Sequence, residues 1–166
     1  MYSLKPIART AIPAALQKAE HYRLLNDSAA AESICLDVLE VEPDHQQALI
    51  TLLLAITDQI GDELSAGVTR ARAVLPRLQD EYHRHYYAGI ICERRGKAQA
   101  RQRAPHAAEV AAGWLREAMQ HYSLAEGIRP ADNDEAILRW NTCARTLNRT
   151  GQPHQPAPEE YEPSFE

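Results

Sequence analysis

The sequence predicts an all-α protein, and three observations support that fold class. Apolar residues recur at three- and four-residue spacing over most of the first 148 positions, as in helices with one buried face. The chain has 7 glycines and only 6% aromatic residues, a composition that disfavours a β-sandwich. No stretch alternates apolar and polar residues, so we expect no β-sheet. With 166 residues and 45% hydrophobic content, the chain can bury a sizeable core.

Seven amphipathic helices are predicted in chain order, joined by short turns. Their approximate ranges are 11–26, 28–41, 45–60, 62–76, 78–95, 106–128 and 132–148. The second carries the spacing clearly in Ala31, Cys35 and Val38. Most segments end at a residue that stops or bends a helix, and these are Pro43, Gly61, Pro76, Gly96 and Pro130. Asp27 or Ser28 is expected to cap the second helix and Asp132 the seventh.

Three regions follow from this pattern. Residues 1–10 form an N-terminal extension without the apolar core of a secretory signal. Residues 11–148 form the helical domain, and residues 149–166 form a Pro/Glu-rich tail that we expect to be disordered. The three cysteines lie far apart, which favours buried free thiols in a reducing, cytoplasmic compartment. No apolar run is long enough to span a bilayer.

Sequence motifs for catalysis, cofactor binding and metal binding are missing. The chain lacks a nucleophile elbow, a phosphate-binding glycine loop and an HExxH pair. Glu81 and His85 are spaced i, i+4 as metal ligands can be, but no third ligand is evident in the sequence. We therefore expect a non-enzymatic protein with no catalytic residue, no cofactor and no metal site.

Internal repetition gives the most specific signal. The first helix pair contains Tyr22, Ala31 and Pro43, and the third contains Gly89, Gly96, Ala118, Tyr122, Ala125 and Pro130 with related spacing. Helix pairs of about 34 residues with small residues at crossing points are typical of helical repeats. Residues 11–148 resemble the tetratricopeptide repeat (TPR) family, with about three degenerate repeats plus a closing helix. The resemblance implies an α-solenoid of about seven antiparallel helices.

The same resemblance implies a concave groove lined by the first helix of each pair. Carried onto this chain, the groove-facing positions selected as a partner-binding site are Arg23, Leu54, Asp58, Tyr86, Ile90, Glu93, Arg94, Asn141 and Arg145. Arginine can bind a carboxylate through two hydrogen bonds, and asparagine can bind a peptide backbone. The expected function is that of a scaffold or adaptor that binds a segment of a partner protein.

Charge distribution leaves alternatives open. Residues 1–69 carry a net charge of −6, residues 70–149 of +5, and residues 150–166 of −4. The basic half has five positive charges between Arg94 and Arg103 and could bind an anion or nucleic acid. This function is the alternative to the protein-binding scaffold. The acidic tail could fold back onto the basic half. Trp114 could support self-association.

Overall fold

Seven α-helices make up most of the chain in the computed structural model, which describes residues 2–61 and 64–150. They are α1 (Ile12–Leu24), α2 (Ser28–Val41), α3 (Gln46–Asp58), α4 (Leu64–Val74), α5 (Glu81–Ala100), α6 (Ala107–Gly127) and α7 (Glu135–Thr150). Short 3-10 turns occupy Arg9–Ala11 and Leu75–Arg77. Within these residues there is no strand, so the all-α prediction is confirmed.

The helix boundaries agree best with the sequence where side chains cap the ends. The second helix occupies its predicted range, and the Asp27 carboxylate accepts a hydrogen bond from the Ala30 amide at 3.1 Å, which satisfies one of the free N–H groups of the first turn. Asp80 begins α5 in the same way, accepting from the His83 amide at 3.3 Å. Pro76 lies in the 3-10 turn that follows α4.

Two predicted boundaries are wrong. Gly96 does not end α5, which continues to Ala100, because this glycine instead allows close contact with α6. A Cβ atom at Gly96 would lie 3.1 Å from the Ala111 carbonyl oxygen. Asp132 does not cap α7: it adopts a φ of 63°, and the Asn133 side chain accepts the Glu135 amide instead.

Consecutive helices pack against each other along the chain, and α1 also contacts α3, as α3 contacts α5. Two hydrophobic clusters result. The aliphatic cluster comes mainly from α1 to α4 and includes Cys35, Leu49, Leu53, Ile56 and Val68, with Ile91 and Ala98 of α5. The aromatic cluster comes from α5 to α7 and includes Tyr82, Tyr86, Ile90, Leu115, Tyr122 and Cys143.

Glycine brings α5 and α6 together at a second point. A Cβ atom at Gly89 would lie 2.5 Å from the ring of Tyr122, so only glycine leaves room for that ring. Tyr122 is fully buried as a result. This close approach positions the phenol hydroxyl of α6 beside the side chains of α5 that form the site described below.

The ends of the described chain also bear on the predicted regions. Helix α7 continues through Thr150, past the predicted start of the tail at residue 149. The rest of the predicted tail, with the hypothesis that it docks on the basic half, lies outside the described residues. In the part of the chain that was searched, no helix combines the length and apolar character needed to cross a membrane.

Candidate ionic interaction site

Charged side chains from all four odd-numbered helices form two neighbouring groups of ion pairs, which we together call the ionic network. Its members are Arg23 of α1, Asp58 of α3, Glu93, Arg94 and Lys97 of α5, and Arg139 of α7. The network has two halves, one centred on Asp58 and one on Glu93. Adjacent positions on α5 join the halves, since Glu93 belongs to one and Arg94 to the other.

In the first half, Asp58 binds two arginines. Its Oδ2 atom lies 2.8 Å from Arg23 Nε and its Oδ1 atom 2.5 Å from Arg94 Nη1. The three side chains are 21 to 24% exposed, so they remain ion-paired while part of each is in contact with solvent. Two guanidinium groups around one carboxylate leave this half with one positive charge in excess.

Arg94 also binds the C-terminal end of α3. It donates to the Leu54 carbonyl at 2.9 Å and to the Thr57 hydroxyl at 2.5 Å. A cation at a helix C-terminus interacts favourably with the helix dipole. Burial lowers the pKa of the Arg94 guanidinium, and Asp58 opposes that change. Arg94 therefore fixes α3 relative to α5.

In the second half, Glu93 is buried with 1% exposure and each carboxylate oxygen is satisfied. The Tyr122 hydroxyl donates to Oε2 at 2.7 Å. Lys97 Nζ lies 2.5 Å and Arg139 Nη1 3.4 Å from Oε1. A buried carboxylate is tolerable only when paired and hydrogen-bonded in this way. Burial, followed by the charge of Glu93, raises the pKa of Tyr122, so the phenol stays a donor.

A small polar cavity of 180 Å³ adjoins the network near the ends of α3 and α5. Cationic side chains Arg94, Lys97 and Arg101 line it, at positions i, i+3 and i+7 on one side of α5, together with Asp58. Its volume is below the range of about 300–1,000 Å³ that is typical of small-molecule sites. A larger depression of 580 Å³ lies elsewhere, between the N-terminal segment and α2, with Leu4 and Leu36 in its wall.

The structure brings together most of the predicted groove positions but gives them different environments. Arg23, Asp58 and Arg94 are linked directly, and Leu54 contributes its carbonyl oxygen. Tyr86, Ile90 and Glu93 are buried in or beside the aromatic cluster, so they support the site rather than line an open surface. Asn141 is half-buried and Arg145 is exposed, and Arg145 lines a separate depression formed by α7 alone.

Three members of the site were missed from the sequence. Lys97 lies four residues after Glu93, a local helical pairing that the sequence contained. Tyr122 stood out in the sequence only through the repeat spacing. Arg139 contacts Glu93 across 46 positions, and no local pattern indicates such a contact.

A second group of side chains could hold a metal ion. Cys92, Glu117 and His121 offer ligand atoms that lie within 4.8 Å of one another on α5 and α6. Glu117 and His121 are spaced i, i+4, on one face of α6. This cluster contains none of the ionic-network residues, and the Glu81–His85 pair considered from the sequence is not part of it.

Comparisons with known proteins give no further guidance: no family model, no curated protein and no solved structure matches this chain.

Proposed function

We propose that the chain is a non-enzymatic, TPR-like interaction scaffold that binds an acidic segment of a partner protein along its odd-numbered helices. The observation that carries the proposal is the composition of the ionic network. Four cations, Arg23, Arg94, Lys97 and Arg139, surround two carboxylates, Asp58 and Glu93. An excess of positive charge shared by four helices favours an extended anionic ligand over a point ligand.

The proposed solenoid arrangement is supported by the order of helix contacts. Each helix packs on the next, and α1, α3 and α5 also contact each other in sequence. In a stack of helix pairs, the first helices of successive pairs are neighbours and share one face. The placement of all network residues on odd-numbered helices agrees with that arrangement.

The network is arranged before a ligand arrives. Asp58 and Glu93 hold the guanidinium and ammonium groups in place, which reduces the side-chain entropy lost on binding. Lys97 is 42% exposed and Arg139 is 41% exposed, so each can contact a partner carboxylate while keeping its bond to Glu93. Arg101, which is exposed at the cavity edge, forms no ion pair with another side chain of the described ranges and adds to the local charge.

Binding of a free anion or of nucleic acid is the second candidate, because the 180 Å³ cavity gathers Arg94, Lys97 and Arg101. Two carboxylates within the same network oppose a densely charged phosphate backbone more than a protein segment with spaced charges. The buried free thiols of Cys35, Cys92 and Cys143 agree with a reducing, cytoplasmic location for either function.

Selection from a displayed library of random 16-residue peptides tests the proposal even while the partner is unidentified. We expect the full chain to enrich peptides containing several Asp or Glu residues. Arg101→Glu should abolish that enrichment, because it reverses a charge at the cavity without removing a network contact. Arg116→Glu is the matched control: it makes the same charge change at an exposed position of α6 and should leave the selection unchanged.

Salt dependence separates the two candidates. Both interactions should weaken as salt rises, but an oligonucleotide held by many phosphate contacts should lose affinity by about 10³-fold or more between ~50 and ~200 mM salt. A peptide with a few spaced carboxylates should lose much less over the same range. Enrichment of peptides without acidic residues, or equal loss with Arg101→Glu and Arg116→Glu, would contradict the proposed acidic-segment site.

A further inference from the structure

The cluster of Cys92, Glu117 and His121 carries an inference that is independent of the ionic network. Cys92 is 1% exposed and lies on α5. Glu117 and His121 lie one turn apart on α6, which approaches α5 closely because of Gly89 and Gly96. A thiol, a carboxylate and an imidazole, each from a different residue, therefore meet within 4.8 Å, with the thiol buried and the other two groups partly buried.

One nitrogen of this cluster lacks a partner. His121 Nδ1 is shielded from solvent and, among the side-chain atoms of the described residues, is the one buried nitrogen or oxygen without a hydrogen bond. Buried polar atoms in proteins are nearly always paired, so an unpaired one indicates a place for a bound water, a bound ion or a functional group. This observation is separate from the spacing of the three side chains.

We propose that Cys92, Glu117 and His121 form a binding site for a divalent zinc ion, with a water molecule in the fourth position. Thiolate and imidazole ligands select zinc over magnesium or calcium. Zinc bonds of about 2.0–2.3 Å place neighbouring ligand atoms about 3.3–3.8 Å apart, which small side-chain rotations of Glu117 and His121 achieve. Coordination converts the Cys92 thiol to a thiolate and releases one proton to solvent for each ion bound.

Arg72 competes with the metal for the same ligands. Its Nη2 atom lies 2.8 Å from Glu117 Oε1 and 3.8 Å from Cys92 Sγ, so a guanidinium supplies positive charge to the cluster in this structure. Arg72 also lies over the Trp114 ring at 5.4 Å. That cation–π contact can hold Arg72 once zinc displaces it from Glu117. Both Arg72 and Glu117 are more than two-fifths exposed, which gives the ion a path from solvent.

Titration of the full-length, reduced chain with Co²⁺, followed by Zn²⁺, tests the site. We expect one Co²⁺ per chain, a sulfur-to-cobalt charge-transfer band in the near ultraviolet, tetrahedral visible bands, and loss of all three on addition of Zn²⁺. Absence of these bands in the wild-type chain overturns the proposal.

Three variants make the test specific. Cys92→Ser should abolish the charge-transfer band, and a band that persists would overturn the assignment. His121→Gln, which leaves all three thiols in place, should weaken binding more than about tenfold, since even outer-shell partners of a metal ligand contribute about that much. Arg72→Ala should instead strengthen binding at least about twofold, because it removes an ion pair of ordinary strength; weaker or unchanged binding would refute the competition.

Matched controls use the same residue types outside the cluster. Cys35→Ala removes a buried thiol in the aliphatic cluster, and His21→Gln removes an exposed imidazole on α1. Both should bind Co²⁺ as the wild type does. Circular dichroism of every variant confirms that it is folded, and loss of binding in either control would place the metal elsewhere and overturn the assignment.

Discussion

The aliphatic and aromatic clusters hold their helices together through different kinds of interaction. The aliphatic cluster joins α1 to α4 mainly through Leu, Ile, Val and Ala side chains, so burial of apolar area provides its stability. The aromatic cluster joins α5 to α7 around Tyr82, Tyr86 and Tyr122 and lies beside Glu93. Among the described residues, Glu93 is the one charged residue classed as buried.

This difference indicates where geometry matters most. Aliphatic cores tolerate changes that conserve volume, since their interactions have little directional preference. A buried carboxylate that binds three donors tolerates few substitutions, because the loss of any donor or acceptor leaves another buried group unpaired. The C-terminal helices are therefore held in a defined relation by hydrogen bonds, and the same bonds position the cations of the proposed partner site.

The largest effects should come from truncating one central residue in each cluster. We expect Glu93→Ala to lower the free energy of unfolding by about 3–5 kcal/mol, because Lys97, Arg139 and the Tyr122 hydroxyl lose their shared partner. Leu53→Ala, at a fully buried position of the aliphatic cluster, should cost about 2–5 kcal/mol through the cavity it leaves. Urea unfolding monitored by circular dichroism measures both.

Glu93→Gln sharpens the comparison, since it keeps the side-chain volume and one acceptor oxygen. Glu93→Gln should lower the free energy of unfolding by less than Glu93→Ala does. If Glu93→Ala costs less than about 1 kcal/mol, the pairing of Glu93 does not hold the aromatic cluster together.

Two glycine substitutions should have the next largest effects on the free energy of unfolding, and these effects should have opposite signs. Gly89→Ala places a methyl group against the Tyr122 ring, and such overpacking costs about 1–3 kcal/mol. Gly113→Ala is the matched control, because nothing lies within 4 Å of the position that its new methyl group would occupy on the exposed side of α6. It should stabilise the protein by about 0.5–1 kcal/mol through its better helix propensity. Thermal unfolding measures both, and a neutral Gly89→Ala would show that Tyr122 can move freely.

Much of the fold could be predicted because its causes are local. Helical periodicity and the carboxylate of Asp27 define α2, and neither needs information from the rest of the chain. Gly96 shows the limit of such reasoning. A glycine within a helical pattern either ends the helix or allows a neighbour to approach, and only the position of α6 decides between them.

The site was predictable in part for the same reason. Arg23, Asp58 and Arg94 were expected on one face, yet their direct bonds depend on how three helices pack. On α7 the buried residues are Ala136 and Cys143, and Trp140 and Leu147 pack beside them against the aromatic cluster. The rotation of α7 about its axis brings Arg139 to Glu93, and that rotation depends on how α7 packs against α6 rather than on a local sequence pattern.

Alkaline pH should lower the free energy of unfolding by about as much as the smaller glycine substitution changes it, and the loss should be similar in the two clusters. Burial raises the pKa of Cys35 in the aliphatic cluster and of Cys143 in the aromatic cluster from 9.0 to about 12. Above pH 9 the unfolded chain ionises these thiols while the folded chain does not, so the free energy of unfolding falls as pH rises from 9 towards 12. Each thiol should contribute a loss of about 1 kcal/mol at pH 10.

Single Cys35→Ala and Cys143→Ala variants test this by flattening the decline in stability between pH 9 and 10, measured by urea unfolding at each pH. Both should flatten it equally, since burial is the first cause at each site and Glu93 adds only a further rise at Cys143. A decline that only Cys143→Ala flattens would mean that the carboxylate, rather than burial, controls thiol ionisation in the aromatic cluster. The electrostatic distinction between the clusters would then extend beyond the hydrogen bonds of Glu93 to every titratable group around it.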